Sequence, residues 1–555
     1  MLDDFDYGSS DDESVVSENE EEAEFCSDSD ELSSEEDEDL SWVSKDGIHW
    51  DQSAQNINKV GRKRCYDIMR TRPGVTGFAT VRIKNVVDAF KMSFDHQLIN
   101  MLITHTNEKG YEKLRNSWKK INQIEFDAFL GLLILSAIFK SNKEGTDSLW
   151  HESFGRPIFR ATMSARRYKD IYAMLRTDEK STRSKEKGAG IKDFWDNWNI
   201  QQSLLYNPHE VITIDEQLIP FRGRVFCRQY MPKKPAKYGL KFFNSCCSST
   251  GFVLHSELYL GKRPDGKRET NQGQRIATDL LTNRSYEGRS ACMDNWFTTY
   301  EGALNLLLNN QIGTVGTIRK NKRCIPPALL VTKGRPPYSS IFAHTKDVTL
   351  VSYVPKKGKN VILLSTIHHS QEVDSTEKKK PEIINFYNKH KGAVDTVDRR
   401  IASYTVKRAT NNWKIATVCN AIDLSLNNAF IIYDEIIKGW CNSRNRRKLY
   451  LENLGMALIR EHITERDRIP RSKFSVDIVR SIRSQTSKDI SRASGSSTSD
   501  DTMASGSSTP NDITPEKKRS RCAFCTTGNK CETKCTNCGK FTCKKHAIII
   551  CSQCH

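Results

Sequence analysis

The chain lacks an apolar run long enough to cross a bilayer. Its longest, Phe126 to Phe139, is about fourteen residues, whereas a spanning helix needs roughly 20. The stretch reads as a buried core helix, and no membrane partner is expected. The start lacks the basic flank and apolar segment of a secretory signal, since Met1 is followed by Asp3, Asp4 and Asp6. No internal repeat is present, which argues against a solenoid or propeller. Outside the C-terminal tail the nine cysteines are scattered (Cys26, Cys65 and Cys227 among them), the usage expected of a reduced compartment.

Charge of one sign is also missing locally. Residues 1–40 contain 19 acidic side chains and no Lys or Arg. The formal net charge of +17 therefore hides a division, with 85 basic against 49 acidic residues over 41–555. A body that basic points to a polyanionic partner, foremost nucleic acid. The Ser-rich acidic head has the composition of a disordered segment that screens the body or recruits a protein.

Patterning divides the rest. Residues 1–75 are expected to be disordered, and 76–209 reads as helical. The β-branched Val211–Ile214 reads as a buried strand. Lys241–Cys247 and Phe252–Leu260 form a hairpin through Ser248-Ser-Thr-Gly251. Ile276–Leu281 and Tyr300–Leu308 suit helices, and Ser290–Met293 and Ile312–Ile318 suit strands. Early strands followed by alternating helix and strand make an α/β sheet of mixed direction. Residues 321–380, with Pro326-Pro327, Pro336-Pro337 and the β-rich Val348–Val354, break the rhythm and read as an insertion. A helical pattern returns from Pro381 to about residue 480. Residues 484–520 are a Ser-rich linker ending in the basic patch Lys517–Arg521, which fits a nuclear localisation signal. Trp150, Trp195 and Trp198 read as packing residues, and His368-His369 as a surface pair.

The tail, 521–555, holds four two-residue-spaced ligand pairs, which fit two tetrahedral zinc sites. The interleaved arrangement puts Cys522, Cys525, Cys543 and His546 on one ion. Cys535, Cys538, Cys551 and Cys554 hold the other, with Cys531 and His555 left over. A disulfide-stapled tail is the weaker alternative. A histone-reading finger of the PHD type has the same cross-brace order and stays open. The four-residue gap Gly539–Thr542 is short for a RING-type ligase.

Aspartates mark the candidate active site. Asp215 ends one strand and Asp294 another, while Asp395 and Asp398 are three residues apart, on one face of a helix. Carboxylates so placed suit two Mg²⁺ ions, which can serve phosphodiester chemistry. Basic side chains cluster nearby: Lys233, Lys234, Lys237 and Lys241 beside the first strand, Arg319, Lys320, Lys322 and Arg323 after another, and Lys407 and Arg408 before Trp413. Such residues hold phosphates without reading sequence. A solvated basic surface is the plain alternative for each cluster.

These segments resemble the piggyBac family of DNA transposases. The likeness is carried by Ile214-Asp-Glu-Gln-Leu218 with Phe221-Arg-Gly-Arg224, Met231-Pro-Lys-Lys-Pro-Ala-Lys-Tyr-Gly239, Met293-Asp-Asn-Trp-Phe297, Gly313-Thr-Val-Gly-Thr-Ile-Arg319 and Tyr387-Asn-Lys-His-Lys-Gly-Ala-Val-Asp395. The zinc tail resembles that family's C-terminal cysteine-rich domain. The resemblance implies an RNase H-like α/β catalytic core at 210–320 and 381–403, interrupted by an insertion domain at 321–380. It implies a helical dimerisation and DNA-binding region from 76–209 and 404–483, and a cross-brace zinc domain at 521–555. The catalytic, Mg²⁺-holding aspartates would be Asp215, Asp294 and Asp395, with Asp398 as the additional ligand. Trp413 matches a tryptophan near the transposon end, although Asn412 stands where the family often has Arg, and a core Trp fits as well. The implied activity is cut-and-paste transposition of double-stranded DNA through hairpinned ends into TTAA, by a nuclear homodimer with two Mg²⁺ per active site and two structural Zn²⁺ per chain. A host-adapted relative that binds DNA or chromatin without cutting is the alternative.

Overall fold

The computed structural model describes residues 41–53, 68–181, 183–184, 186–232, 234–261, 269–282, 286–494, 520–521 and 530–531. Residues up to Asp489 form one compact unit and 490–555 a second.

The first unit is built on an 11-stranded mixed sheet. Its strands are β1 (Ser41–Val43), β2 (His49–Asp51), β5 (Val211–Pro220), β6 (Arg228–Tyr230), β7 (Tyr238–Cys247), β8 (Val253–Leu258), β9 (Ser290–Met293), β10 (Gly313–Thr317), β11 (Ser340–His344), β12 (Thr349–Lys356) and β13 (Lys359–Ser365). The order is β1-β2-β11-β12-β13-β10-β9-β5-β7-β6, with β8 also on β7. Strands β10, β9 and β5 run parallel at the centre; the rest pair antiparallel. Two short strands, β3 (Gly74–Val75) and β4 (Tyr206–Asn207), pair apart from it.

Helices before the central strands are α1 (Gly77–Arg82), α2 (Val86–Ser93), α3 (His96–Leu114), α4 (Gln123–Ile138), α5 (Thr146–Leu149), α6 (Pro157–Thr162), α7 (Ala165–Met174) and α8 (Ala189–Leu205). Within the sheet region lie α9 (Gln272–Thr282), α10 (Tyr300–Asn310), α11 (Pro327–Leu330), α12 (Glu382–His390) and α13 (Ala393–Ser403). After it come α14 (Trp413–Ile436), α15 (Arg446–Glu465) and α16 (Lys473–Ser494). The apolar run is α4, buried along nearly its whole length and capped by Asn122 Oδ1, which accepts from Glu125 N at 2.8 Å. It crosses α15 where Gly131 meets Gly455. A Cβ on Gly131 would fall 2.9 Å from the Gly455 carbonyl, so small residues here allow the close approach.

Helix α14 has the length and apolarity of a membrane span, but 94% of that window is buried inside the protein. It is a core helix. Its polar residues tie the helices to the sheet. Strand β8 would otherwise leave an open edge, which sheets must cover. Asn428 of α14 accepts from Val253 N and donates to Val253 O, both at 2.9 Å. Asn199 of α8 does the same to Ser256, at 2.8 and 2.9 Å. Each amide thus mimics a neighbouring strand. Trp195 and Trp198 are buried as expected. Their indole N–H groups reach Ser256 O at 2.7 Å and Ser425 Oγ at 2.8 Å.

Four expectations are corrected. The segment 1–75 is not disordered throughout: β1 pairs β2, and Asp51 pairs His344 of β11. Trp50 is fully buried in a satellite core with Ile318, Leu329 and Leu364, and burial of that indole offsets the entropy of ordering the strands. His368 is buried rather than at the surface. Its ring packs edge-on to Phe386 at 4.8 Å and its Nδ1 lies 2.9 Å from Ser365 Oγ, and burial pushes its pKa down to about 4. Arg408 is also buried, as described below. Residues 321–380 supply β11, β12 and β13, and β13 pairs β10 directly, so this segment extends the core sheet.

In the second unit Ser520–Arg521 pairs antiparallel with Lys530–Cys531. Cys522, Cys525, Cys535, Cys538, Cys543, His546, Cys551 and Cys554 lie outside the described residues.

Candidate active site

The parallel register of β5 and β9 sets the site. Their last pair is Ile214 with Met293. One residue further come Asp215 and Asp294. Asp294 follows the end of β9, but Asp215 does not end its strand as expected: β5 runs on to Pro220 because it stays paired with β7, and Asp215 lies where its parallel pairing with β9 stops. Glu216 joins them, and one carboxylate oxygen from each of the three lies within 4.8 Å of the others. Among the described residues, no other group of three or more His, Cys, Asp and Glu side chains is so placed. Strand alternation would send Glu216 to the face opposite Asp215, so a pattern reading passes over it. The two consecutive acids within an otherwise uncharged strand are the signal that could have found it.

Helix α13 brings the other two aspartates. Asp398 Oδ1 accepts from Gln217 Nε2 at 2.8 Å. The same Gln217, buried at 3% exposure, accepts at Oε1 from Asn244 Nδ2 at 3.2 Å and from Asn420 Nδ2 at 3.1 Å. Two donors on its oxygen fix the amide so that its nitrogen faces Asp398. Asp395 is more exposed, and its Oδ1 lies 3.7 Å from Lys234 Nζ, which also donates to the Glu216 carbonyl at 3.0 Å.

Burial, then the neighbouring Glu216 charge, pushes Asp215 up to about 8. Burial pushes Asp398 up to about 7 against the Gln217 hydrogen bond. Asp294 is raised by burial and by Glu216. Carboxylates this close resist ionising together. A divalent cation would supply the missing positive charge, and an all-oxygen donor set suits a hard ion of the Mg²⁺ or Mn²⁺ kind. The residues present therefore fit such an ion.

The predicted basic residues scatter. Lys234 is in the site itself. Lys233 lies outside the described residues. Lys237 is exposed in the turn before β7. Lys241 Nζ sits over the Phe243 and Trp296 rings at 4.8 and 4.9 Å. Arg319, Lys320 and Arg323 are exposed and Lys322 half-buried after β10, with Arg319 near Asp294. Lys407 is half-buried, its pKa lowered by burial. Arg408 is 6% exposed. It donates to Ser141 O at 2.9 Å and to Glu144 O, so its guanidinium serves carbonyls beyond α4 rather than a phosphate. Trp413 opens α14 half-buried, edge-on to exposed Phe226 at 6.0 Å.

A basic groove of 250 Å³ opens beside the α14 N-terminus. Lys109, Lys113, Arg176, Lys180, Arg183 and Lys414 line it, and Asp178 ties Arg183 and Lys414 to its wall. These residues are scattered along the sequence and no local pattern marks them.

Residues 85–430 match the family model described as Transposase IS4. The described fold matches a cryo-EM structure of a piggyBac transposase synaptic complex with hairpin DNA at TM-score 0.69 and 31% identity, over 87% of this chain and all of that one. The chain belongs to the piggyBac family of transposases. Human relatives are more distant. PiggyBac transposable element-derived protein 3 (Homo sapiens) is 23% identical over 382 residues, covering 64% of this chain and 63% of that protein. PiggyBac transposable element-derived protein 5 (Homo sapiens) is 22% identical over 410 residues, covering 67% and 76%. The chain thus spans less than two thirds of the first relative's length; in this piggyBac family member, residues 85–430, matched by the family model, contain all four aspartates.

Proposed function

We propose that this chain is a cut-and-paste DNA transposase. The observation that carries the reading is the convergence of Asp215, Glu216 and Asp294 where the pairing of β5 with β9 stops, with Asp398 held to the same strand through Gln217. A chain that had given up cleavage would be under no constraint to keep these carboxylates together.

Bound Mg²⁺ would lower the pKa of an attacking water and stabilise charge on the phosphoryl and leaving oxygens. Asp215, Glu216, Asp294, Asp395 and Asp398 would hold it. The reaction is a series of in-line displacements at phosphorus. Water attacks at the transposon end, breaking the P–O3′ bond and freeing a 3′-OH. That hydroxyl attacks the opposite strand, leaving a hairpin on the excised end. Water reopens the hairpin, and the 3′-OH joins to a TTAA target. The solved relative holds hairpin DNA, which supports the intermediate.

Double-stranded DNA would lie on the basic surface. The groove at the α14 N-terminus fits phosphate twice over, through its lysines and arginines and through the helix dipole. The tail, with two Zn²⁺, would read the terminal repeats, Lys517–Arg521 would direct the chain to the nucleus, and two copies would hold the two ends. The names of the human relatives mark them as transposable element-derived, which keeps a non-cutting DNA-binding protein as the second reading.

A donor plasmid carrying the flanking repeats and TTAA separates them. Excision with TTAA restored, lost in Asp215→Ala, Asp294→Ala and Asp395→Ala, is the expected result. Retained binding of those ends without excision by the unsubstituted chain would leave the second reading.

A further inference from the structure

The turn between β6 and β7 delivers a lysine into the carboxylate cluster. Met231 N donates to Lys237 O at 2.8 Å and Lys234 N to Met231 O at 3.1 Å, which closes the turn over the end of β5. Lys234 Nζ donates to the Glu216 carbonyl at 3.0 Å and lies 3.7 Å from Asp395 Oδ1. These two contacts bridge β5 and α13, and the lysine side chain is only 21% exposed. A lysine seated among carboxylates is an unusual phosphate ligand, since a phosphate would have to draw it from partners already in place.

A lysine amine carries its proton at neutral pH, and here it sits against the backbone of Glu216 and the carboxylate of Asp395, with Asp215 and Asp398 also close enough to act on it. The ammonium is thus an anchored positive charge where a divalent cation would need those oxygens. Two cations on one set of carboxylates repel, and each weakens the hold of the other.

We propose that Lys234 is a built-in counter-cation of the active site, which keeps α13 joined to β5 when no metal is bound and competes with the divalent cation for the same carboxylates. Metal loading then displaces the ammonium and leaves it beside the site. This rests on reading the carboxylates as a divalent-cation site.

The test is calorimetric titration of Mn²⁺ into the zinc-replete, full-length chain without DNA, with Asp294→Asn defining heat from elsewhere. Lys234→Gln should bind Mn²⁺ roughly tenfold tighter than wild type, the scale of removing one nearby like charge from a partly solvated site. Lys234→Arg should match wild type. A lysine that merely organises the ligands would give weaker binding on Lys234→Gln; that result, or no change, overturns the proposal. A Lys234→Arg chain as tight as Lys234→Gln overturns it also. Wild type without any Asp294-dependent binding overturns the cation site itself and this inference with it. A second measurement needs no substitution. Acetylation of Lys234 in the wild-type chain, followed by mass spectrometry, should rise when Ca²⁺ is added while Lys237 stays constant. Unchanged labelling of Lys234 overturns the displacement.

Discussion

Gln217 Nε2 hydrogen-bonds Asp398 Oδ1 across the gap between β5 and α13. The far side of that amide is held by Asn244 of β7 and Asn420 of α14, so three elements fix the position of one carboxylate. Replacing Gln217 by Leu leaves Asp398, Asn244 and Asn420 without this partner. The expected cost is about 1–3 kcal/mol in urea unfolding, with excision reduced further than that loss of folded protein explains. Full excision by Gln217→Leu would show that Asp398 needs no such support.

Glu216 should behave as part of the metal site. Glu216→Gln keeps the shape and removes the charge. Divalent-cation affinity and cleavage should fall roughly 10–100-fold, the range seen when groups around a metal centre are altered. Binding of DNA ends measured by gel shift should be unchanged.

The groove at the head of α14 gives a prediction in salt. Arg176→Glu combined with Lys180→Glu should weaken DNA binding for every sequence alike and lower the slope of log K against log salt by roughly 2. Arg408→Ala should leave that slope unaltered and instead reduce stability, because Arg408 holds Ser141 and Glu144.

Asp423 supplies a pH dependence away from the site. It is buried on α14, accepts from Thr405 Oγ1 at 2.6 Å and Val406 N at 2.9 Å, and burial pushes it up to about 7. Unfolded, it titrates near 4. Between these values the folded chain keeps a proton that the unfolded chain has shed, so stability falls as pH rises through that window. Asp423→Asn removes this term. Wild type should therefore lose stability relative to Asp423→Asn between about pH 4.5 and about pH 7.5 in urea melts.

Trp50 anchors the N-terminal strands. Trp50→Ala should cost about 3–5 kcal/mol, as for a large ring lost from a packed core, while removing residues 1–40 should leave the melting temperature unchanged.

The sheet and the aspartates could be read from sequence because their signals are local: β-branched runs for β5, a three-residue step for Asp395 and Asp398. What escaped depends on distant partners. Trp50 looks like part of a polar leader until β11 and Leu364 cover it. His368 and Arg408 look like surface charge until Phe386 and the carbonyls beyond α4 enclose them. Gln217 reads as an ordinary strand residue, because its meaning comes from Asn244, Asn420 and Asp398 meeting around it.

Strand β2 pairs with a strand formed far downstream, through Asp51 and His344. At about 5–20 residues per second of synthesis, the roughly 290 residues between them take on the order of 15–60 s to emerge. Throughout that interval Trp50 has no pocket to enter. These first strands among the described residues are therefore among the last to settle, and a ribosome stalled before β11 would hold them out as bare, aggregation-prone strand.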